Sequence, residues 1–261
     1  MTQQHSPDLE RRFGGLARLY GTEGAARIRA ARVAVVGIGG VGSWAAEALA
    51  RSGVGAITLV DMDNVAESNV NRQIHALTST LGQPKVEAMR QRIALIHPGC
   101  EVHCVEDFAA PGNWPALLPA AVDGVIDACD QVHAKQALAA WALKTRALFI
   151  TCGAAGGKRQ GERVEIADLA EVTHDPLMAA LRARLRQTGS MAKGGKDGKD
   201  RQARSGLHVV FSREAVTRPA ACGPQPGHDR NLNCHGYGSV VTVTATFGLV
   251  AAGWMLERLA Q

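Results

Sequence analysis

Residues 32–61 read RVAVVGIGGVGSWAAEALARSGVGAITLVD. The stretch opens with a short apolar run rich in valine, turns at glycines, continues over 43–51 with apolar residues at helical spacing, and closes on a second apolar run at 56–61. Strand, glycine turn, helix and strand together make a βαβ unit, whose two strands are parallel. The stretch therefore predicts a parallel sheet with the glycine turn at the carboxyl end of its first strand.

The same alternation continues on both sides of this stretch. It predicts helices around 25–32 and over 84–96 and 131–145, and strands over 101–106, 124–127 and 148–151. After Gly153 the pattern changes: 163–167 and 207–212 predict two strands that pair locally, with a helix between them from Pro176 to Arg186, capped by Asp175. We therefore expect an α/β fold, a doubly wound Rossmann-like, mostly parallel sheet with antiparallel C-terminal strands.

Composition narrows the class of protein. The chain has 261 residues, 46% of them hydrophobic, which fits one globular domain or two small ones. Its six cysteines form no Cys-x-x-Cys pair, and the N-terminus lacks the apolar segment of a secretion signal. We expect a cytoplasmic protein without a disulfide scaffold and without a zinc site of paired cysteines.

One stretch, 231–256, contains no Asp, Glu, Lys or Arg. Its apolar end, VVTVTATFGLVAAGWML, approaches the length of about 20 residues that spans a bilayer. Three threonines and two glycines dilute it, so we expect a buried core or subunit-interface helix and no stable membrane insertion. The β-branched run 240–246 is also compatible with a strand.

Positive charge is concentrated in one segment. Residues 182–218 contain ten Lys or Arg and three Asp or Glu, whereas the whole chain has a net charge of +5. Within it, 187–206 is rich in Gly and Lys and nearly free of apolar residues, which predicts a mobile basic insertion; a second mobile stretch is predicted over 221–235. The charge predicts contact with a polyanion, although a solvated helix face explains it too. The candidates for this contact are Arg182, Arg186, Lys193, Lys196, Lys199, Arg201 and Arg204.

The glycine turn predicts a nucleotide site. Gly37, Gly39, Gly40 and Gly42 follow the first strand and open a helix, where backbone N–H groups can bind phosphate oxygens. Asp61, nineteen residues after Gly42, can accept hydrogen bonds from ribose hydroxyls. These residues alone favour a nicotinamide dehydrogenase. The other explanation is a glycine turn that serves only tight packing.

Further charged residues favour a nucleoside triphosphate over a dinucleotide as the ligand. A dinucleotide diphosphate needs no additional cations, whereas a triphosphate and its departing pyrophosphate do. Arg72 can bind phosphate oxygens bidentately, and Lys85 supplies a point charge. Asp130 follows the strand at 124–127 and can hold Mg²⁺ on the phosphates. Solvated surface charges and a helix cap at Asp130 are the alternatives.

Four motifs in order, GIGGVG, DMDNVAESNVNRQ, GQPK and DACD, resemble the adenylating domain of ubiquitin-activating-like enzymes, which include the activators of molybdopterin and thiamine synthesis. The resemblance covers about Arg11 to Gly153. It implies ATP binding with Asp61 on the ribose, Asn69, Arg72 and Lys85 on the phosphates, and Asp130 serving Mg²⁺ and adenylation. Asp63 and Gln73, from the same motifs, complete the nucleotide-binding candidates.

RRFGGLARLYG, NRQIHAL and VTVTATFG extend the similarity over nearly the whole chain, to the bacterial dehydratases of this superfamily that act on threonylcarbamoyladenosine in tRNA. This resemblance implies one adenylating domain, 1–261, with a nucleotide part over about 11–153 and a tRNA part over about 154–261. It also implies adenylation of the threonyl carboxylate in the anticodon loop, closure to a ring, and a homodimer, with a sulfur-relay protein as a possible further partner.

The sequence departs from this superfamily at several positions. Sulfur-carrier activators usually carry Cys-x-x-Cys zinc knuckles; these are absent here, so no zinc is expected, and activation of a ubiquitin-like sulfur carrier is the alternative function. The arginine that such enzymes donate across the dimer falls near Gly15, which leaves Arg12 and Arg18 as candidates. Cys234, beside His235, is the candidate thiol for a thioester.

Overall fold

The structure, a computed structural model, describes residues 7–191, 204–217 and 237–261. One sheet of seven strands has the order β3-β2-β1-β4-β5-β7-β6. Every neighbouring pair is parallel except β6 and β7, which are antiparallel. The strands are β1 (Arg32–Val36), β2 (Ala56–Val60), β3 (Glu101–Val105), β4 (Gly124–Asp127), β5 (Leu148–Cys152), β6 (Val164–Asp168) and β7 (His208–Ser212). The predicted mostly parallel sheet with antiparallel C-terminal strands is confirmed.

Six α-helices accompany the sheet in the described ranges. They are α1 (Leu9–Ala30), α2 (Gly42–Arg51), α3 (Lys85–Ile96), α4 (Val132–Thr145), α5 (Pro176–Gln187) and α6 (Val241–Leu259). Apart from α1, and from α6, which ends three residues beyond the apolar stretch 240–256, the predicted helix and strand bounds agree with these to within one residue. The predicted start of α1 at residue 25 was wrong, because the helix begins at Leu9 and continues through a kink at Gly21. Asp175 caps α5 as predicted, accepting a hydrogen bond from the N–H of Met178 at 3.0 Å.

Apolar cores lie on both faces of the sheet. Val33 and Val35 of β1 pack in a cluster with residues of α2, α3 and α6, whereas Ala34 and Val36 pack in a second cluster with residues of α4 and α5. Alternate residues of one strand point to opposite faces, so β1 is buried on both sides. The predicted doubly wound arrangement is therefore confirmed.

The apolar end of the uncharged stretch forms α6, so the alternative of a strand over 240–246 was wrong. Phe247, Ala251 and Met255 are fully buried in the same cluster as Val33 and Val35. The expected core helix is thus confirmed. No helix in the described ranges combines the length and the apolar character that crossing a bilayer requires.

Helix α6 lies very close to the start of α2, next to the glycine turn. A Cβ at Gly248 would lie 2.3 Å from the carbonyl oxygen of Val41 and 2.9 Å from the amide nitrogen of Ala45. Gly253, on the same helix, has no heavy atom within 4 Å of such a Cβ. The missing side chain at Gly248 therefore allows α6 to support the turn directly.

We expect Gly248→Ala to lower the free energy of unfolding by about 1–3 kcal/mol, because the added methyl group overpacks a backbone contact. Gly253→Ala is the control on the same helix, and we expect it to raise the free energy of unfolding by up to about 1 kcal/mol, because alanine favours helix. Urea denaturation measures both variants. Equal effects of the two substitutions would contradict the close contact.

The predicted mobile basic insertion falls largely outside the described residues, as does the stretch 221–235 with Cys222 and Cys234. Of the insertion, the structure describes 187–191 and 204–206. Met191 is buried in the same cluster as α5. Asp168 accepts hydrogen bonds from the N–H groups of Ser205 and Gly206 at 2.9 Å, which fixes the point where the chain enters β7.

Candidate functional site

A cavity of about 540 Å³ opens at the carboxyl ends of β1, β2, β4 and β5. Its size is typical of small-molecule sites. Of the predicted nucleotide-binding and catalytic residues that the structure describes, it brings all but Gly42 to the cavity wall. These residues are Gly37, Gly39, Gly40, Asp61, Asp63, Asn69, Arg72, Gln73, Lys85 and Asp130.

The glycine turn is shaped by close backbone contacts. Gly37 has a φ of 87°, and a Cβ there would lie 2.8 Å from the amide nitrogen of Cys129. A Cβ at Gly42 would lie 1.8 Å from the carbonyl oxygen of Gly37. The N–H groups of 39–42 have no acceptor among the described residues. The start of α2 therefore presents unpaired donors of the kind that bind phosphate.

Asp61 anchors this turn, a role that the sequence did not reveal. Its carboxylate accepts hydrogen bonds from the N–H of Ile38 at 2.6 Å and from the N–H of Asp63 at 2.9 Å. Burial raises the pKa of Asp61, and the ammonium of Lys85 opposes that rise. Each carboxylate oxygen retains a further lone pair, so Asp61 can still accept from a ribose hydroxyl.

Lys85, the first residue of α3, is buried rather than solvated. Its Nζ lies 2.6 Å from Asp63 Oδ2 and 3.9 Å from Asp61 Oδ1. An ammonium group has three donors, and Asp63 uses one of them at short range. The two carboxylates hold the charge of Lys85 at the cavity wall, where it can also meet a phosphate.

Arg72 lies across the glycine turn. A Cβ at Gly40 would lie 3.1 Å from Cγ of Arg72, so the arginine stem packs closely against the turn. One guanidinium nitrogen donates to the carbonyl oxygen of Ser68 at 2.8 Å and to Oδ1 of Asn71 at 2.9 Å. The other nitrogens have no acceptor within the described ranges, which leaves donors for a phosphate.

Two amide side chains, those of Asn69 and Gln73, also line the cavity. Asn69 uses its Oδ1 to accept from the N–H of Ala66 at 3.0 Å. Gln73 is buried, and its Oε1 has no hydrogen-bond partner in the described part of the chain. A buried polar atom without a partner is uncommon. An open acceptor at this place fits a cavity that takes a polar ligand.

Asp130 lines the cavity, is exposed, and makes no hydrogen bond to any described residue. The N-cap of α4 is Gln131 and lacks a side-chain capping bond, so Asp130 is not a helix cap. Asp127, from the same DACD motif, is fully buried instead, with one oxygen 3.1 Å from Nζ of Lys135. Of the two aspartates of this motif, Asp130 is therefore the one that presents its carboxylate to the cavity.

These residues fit Mg²⁺ that arrives with a nucleotide. The described residues contain no group of three or more His, Cys, Asp or Glu side chains that could hold a metal by themselves. Mg²⁺ is commonly held by one or two carboxylates together with substrate phosphates. Asp130, which lines the same cavity as the glycine turn, could supply that kind of ligand.

The opposite wall of the cavity comes from elements that sequence reasoning did not connect with the site. It includes the loop 153–156 after β5, together with Phe108, Leu177 and Tyr237. Asp175 fixes this loop, since its Oδ2 accepts from the N–H of Ala154 at 2.9 Å. The only sequence signal for Asp175 was its capping position.

The described members of the basic segment differ in their surroundings. Arg182 donates to the carbonyl oxygens of Leu169 and Val172, and burial lowers its pKa. Arg186 is partly buried, whereas Arg204 is exposed. Phe211 is fully buried in the core, so it cannot stack on a base. The other predicted tRNA-contact residues, Lys193, Lys196, Lys199 and Arg201, lie outside the described residues.

The cysteines that the structure describes are held as thiols. Burial raises the pKa of Cys104 to about 11 and that of Cys152 to about 12. It also raises the pKa of Cys129, with a further contribution from Asp127. Burial likewise raises the pKa of Cys100 to about 12. None of the four described cysteines is therefore a thiolate at neutral pH. Cys234, the candidate for a thioester, lies outside the described residues.

Comparison with known proteins agrees with this geometry. The tRNA threonylcarbamoyladenosine dehydratase of Escherichia coli K12 is 43% identical over 255 residues, which are 95% of this chain and 93% of that protein. The crystal structure of the E. coli tRNA N6-threonylcarbamoyladenosine dehydratase in complex with ATP has a TM-score of 0.84 at 42% identity, covering 97% of this chain and 96% of that chain. The E. coli molybdopterin-synthase adenylyltransferase is 36% identical over 123 residues, 47% of this chain and 49% of that protein. The model of the ThiF family matches residues 13–261, and the chain therefore belongs to the ThiF family.

Proposed function

We propose that this chain is an ATP-dependent, tRNA-modifying dehydratase that cyclises threonylcarbamoyladenosine in the anticodon loop. The observation that carries the proposal is one cavity that is lined both by 39–41, whose N–H groups have no acceptor among the described residues, and by Arg72, Lys85 and Asp130. Similarity over the whole chain favours tRNA over a sulfur carrier as the substrate. The ATP complex of a relative favours ATP over a nicotinamide cofactor.

The geometry accounts for the chemistry in two steps. The N–H groups at the start of α2 hold the phosphates, and Arg72 and Lys85 neutralise the charge of the departing pyrophosphate. A carboxylate oxygen of the substrate attacks the α-phosphorus, so that a P–O bond forms as the bond to pyrophosphate breaks. Asp130 would hold Mg²⁺ on the phosphates, and the ion would there supply further charge neutralisation.

The second step needs no dedicated nucleophile from the protein. The carboxyl carbon now carries AMP as its leaving group. An internal nucleophile of the modified side chain attacks that carbon, loses its proton, and displaces AMP. Because attacker and target belong to one molecule, holding them close supplies much of the acceleration. The net change is the loss of one water from the nucleoside, at the cost of ATP converted to AMP and pyrophosphate.

Mass spectrometry of tRNA nucleosides tests this function. The protein is incubated with modified tRNA, ATP and Mg²⁺, and the nucleoside is expected to lose the mass of one water while AMP accumulates. An unchanged nucleoside mass without AMP would contradict the proposal. Pyrophosphate exchange that depends on a carrier tail ending in Gly-Gly would support the sulfur-carrier alternative instead.

We expect the basic segment to contact the phosphates of the anticodon stem-loop. Lys196→Ala combined with Lys199→Ala should weaken tRNA binding and reduce the slope of log affinity against log salt by up to about 1.8, since each phosphate contact contributes about 0.7–0.9. This prediction rests on the charges of the sequence, because both residues lie outside the described ranges. A uniform loss of affinity with an unchanged salt slope would contradict phosphate contact.

For a homodimer, the geometry favours Arg18 over Arg12 as the arginine donated to the other subunit. Arg12 donates to the carbonyl oxygen of Ile96 at 2.6 Å within its own chain. Arg18 is exposed and forms no hydrogen bond or ion pair with a described residue. Arg12→Ala should therefore affect stability, whereas Arg18→Ala should affect turnover.

Subunit mixing tests the donation. Arg18→Ala alone is expected to lower turnover on the order of 10³-fold, as for other arginines that stabilise a transferring phosphate. Mixed with inactive Asp130→Ala subunits, it should recover about a quarter of wild-type activity, because half of the dimers then contain one complete site. A mixture that stays inactive would show that Arg18 acts within its own chain.

Two further expectations belong to this function. We place the activity in the cytoplasm, where tRNA and ATP are available, and keep a sulfur-relay protein as a predicted partner.

Cys234→Ala tests the predicted thioester: loss of ring closure would support a catalytic thiol, and unchanged ring closure would support direct cyclisation alone.

A further inference from the structure

A buried charged network lies directly beneath the cavity. It joins Asp127 at the end of β4, Lys135 on α4 and Thr151 on β5, all three fully buried. The Lys135 Nζ lies 3.1 Å from Asp127 Oδ2 and donates to Thr151 Oγ1 at 3.0 Å. The Thr151 hydroxyl donates to the same Asp127 oxygen at 2.7 Å. This oxygen is therefore held by two donors from two different elements.

The second oxygen of Asp127 holds the turn that leads into the cavity. Its Oδ1 accepts from the N–H of Cys129 at 3.2 Å and from the Cys129 thiol at 2.8 Å. Lys135 and Thr151 thus fix the plane of the carboxylate, and that plane fixes Cys129. The network forms a continuous link from the sheet to the backbone at 128–129.

The same backbone contacts both parts of the nucleotide site. Gly37 rests against it, since a Cβ at Gly37 would lie 2.9 Å from the carbonyl oxygen of Ala128. Asp130 follows immediately and makes no hydrogen bond of its own to a described residue. The position of its carboxylate therefore depends on how firmly the preceding two residues are held.

Stability alone does not account for this network. Burying an ion pair removes both charges from water, and well-packed apolar residues of similar volume often stabilise a fold as much or more. Ligand-bearing segments, in contrast, depend on hydrogen-bonded partners behind them, whose loss typically costs 10–100-fold in affinity or activity. Lys135 and Thr151 are hydrogen-bonded partners of this kind, because they lie behind the segment that carries Asp130.

We propose that Lys135, acting through Asp127, is a positioning residue that aims Asp130 at the magnesium-bearing phosphates of the nucleotide. The inference rests on the proposed magnesium role of Asp130. Lys135 is fully buried and is not among the residues that line the cavity; it orients the carboxylate of Asp127, which in turn holds the turn 128–130. Thr151 supports the same oxygen and has a smaller share.

The test measures binding rather than turnover. Calorimetry gives the affinity of a non-hydrolysable ATP analogue with and without Mg²⁺, and the ratio of the two is the magnesium gain. Lys135→Met is expected to reduce this gain by about 10-fold and to speed amide hydrogen exchange in the peptide containing 128–130. Lys135→Arg should restore most of both. Thr151→Val leaves the ion pair in place. It should reduce the magnesium gain and speed the hydrogen exchange, but by less than Lys135→Met does.

Lys158→Met is the matched control. Lys158 is also almost fully buried, but it donates to the carbonyl oxygen of Ser212, away from the network. We expect it to lose stability without losing the magnesium gain. The positioning role is wrong if Lys135→Met folds and keeps both the magnesium gain and the slow hydrogen exchange at 128–130. If Lys135→Met does not fold, the role is wrong if Thr151→Val leaves the magnesium gain and the exchange rate unchanged. An unchanged gain in Asp130→Ala would instead overturn the magnesium role itself.

Discussion

Asp130→Ala is expected to lower the rate of AMP release from ATP and modified tRNA by at least about 100-fold, the usual cost of removing one preorganised electrostatic group. The free energy of unfolding should change by less than about 0.5 kcal/mol, because the side chain is exposed and makes no hydrogen bond to a described residue. Single-turnover AMP release and urea denaturation measure the two effects. The variant should therefore be folded and inactive.

Asp107→Ala is the acidic control for this experiment. Asp107 also lines the cavity, but its carboxylate accepts from the N–H of Phe108 at 2.7 Å and from Asn113 at 3.3 Å, so it is engaged within its own loop. We expect a much smaller loss of AMP release from this variant. Full activity in Asp130→Ala, or equal losses in both variants, would remove Asp130 from the mechanism.

The fold was predictable wherever local pattern and burial agree. The strands β1 and β2 are buried on both faces and bounded by glycine, so their short apolar runs mark them clearly. The start of α1 was missed because its first half carries four charged residues and two consecutive glycines, Gly14 and Gly15, which disfavour a helix. That half is held by tertiary contact: Phe13 packs against Gly53 and His97, residues distant in sequence.

The site was predictable as a set of residues, but only in part as a set of contacts. Motif order indicated Arg72, Lys85 and Asp130, and parallel strands bring their carboxyl ends together. The bond from Asp61 to the turn and the pairing of Asp127 with Lys135 depend on which elements become neighbours in space. Phe108 and Tyr237 reach the cavity for the same reason, and no motif indicates them.

Gly42→Ala is expected to abolish ATP binding, with a loss of affinity of at least about 100-fold. The new Cβ would lie 1.8 Å from the carbonyl oxygen of Gly37, and a backbone oxygen cannot rotate out of the way as a side chain can. The turn must therefore shift, which misplaces the N–H groups of 39–42 that we assign to the phosphates. Calorimetric titration with ATP measures the loss.

Helix propensity predicts the opposite sign, which makes the substitution informative. Gly42 is the first residue of α2, where alanine alone would favour the helix by up to about 1 kcal/mol. Gly112→Ala is the control, because a Cβ there has no heavy atom within 4 Å. We expect Gly112→Ala to bind ATP normally. Wild-type ATP affinity in Gly42→Ala would show that the turn tolerates a side chain and that its glycines do not shape the phosphate site.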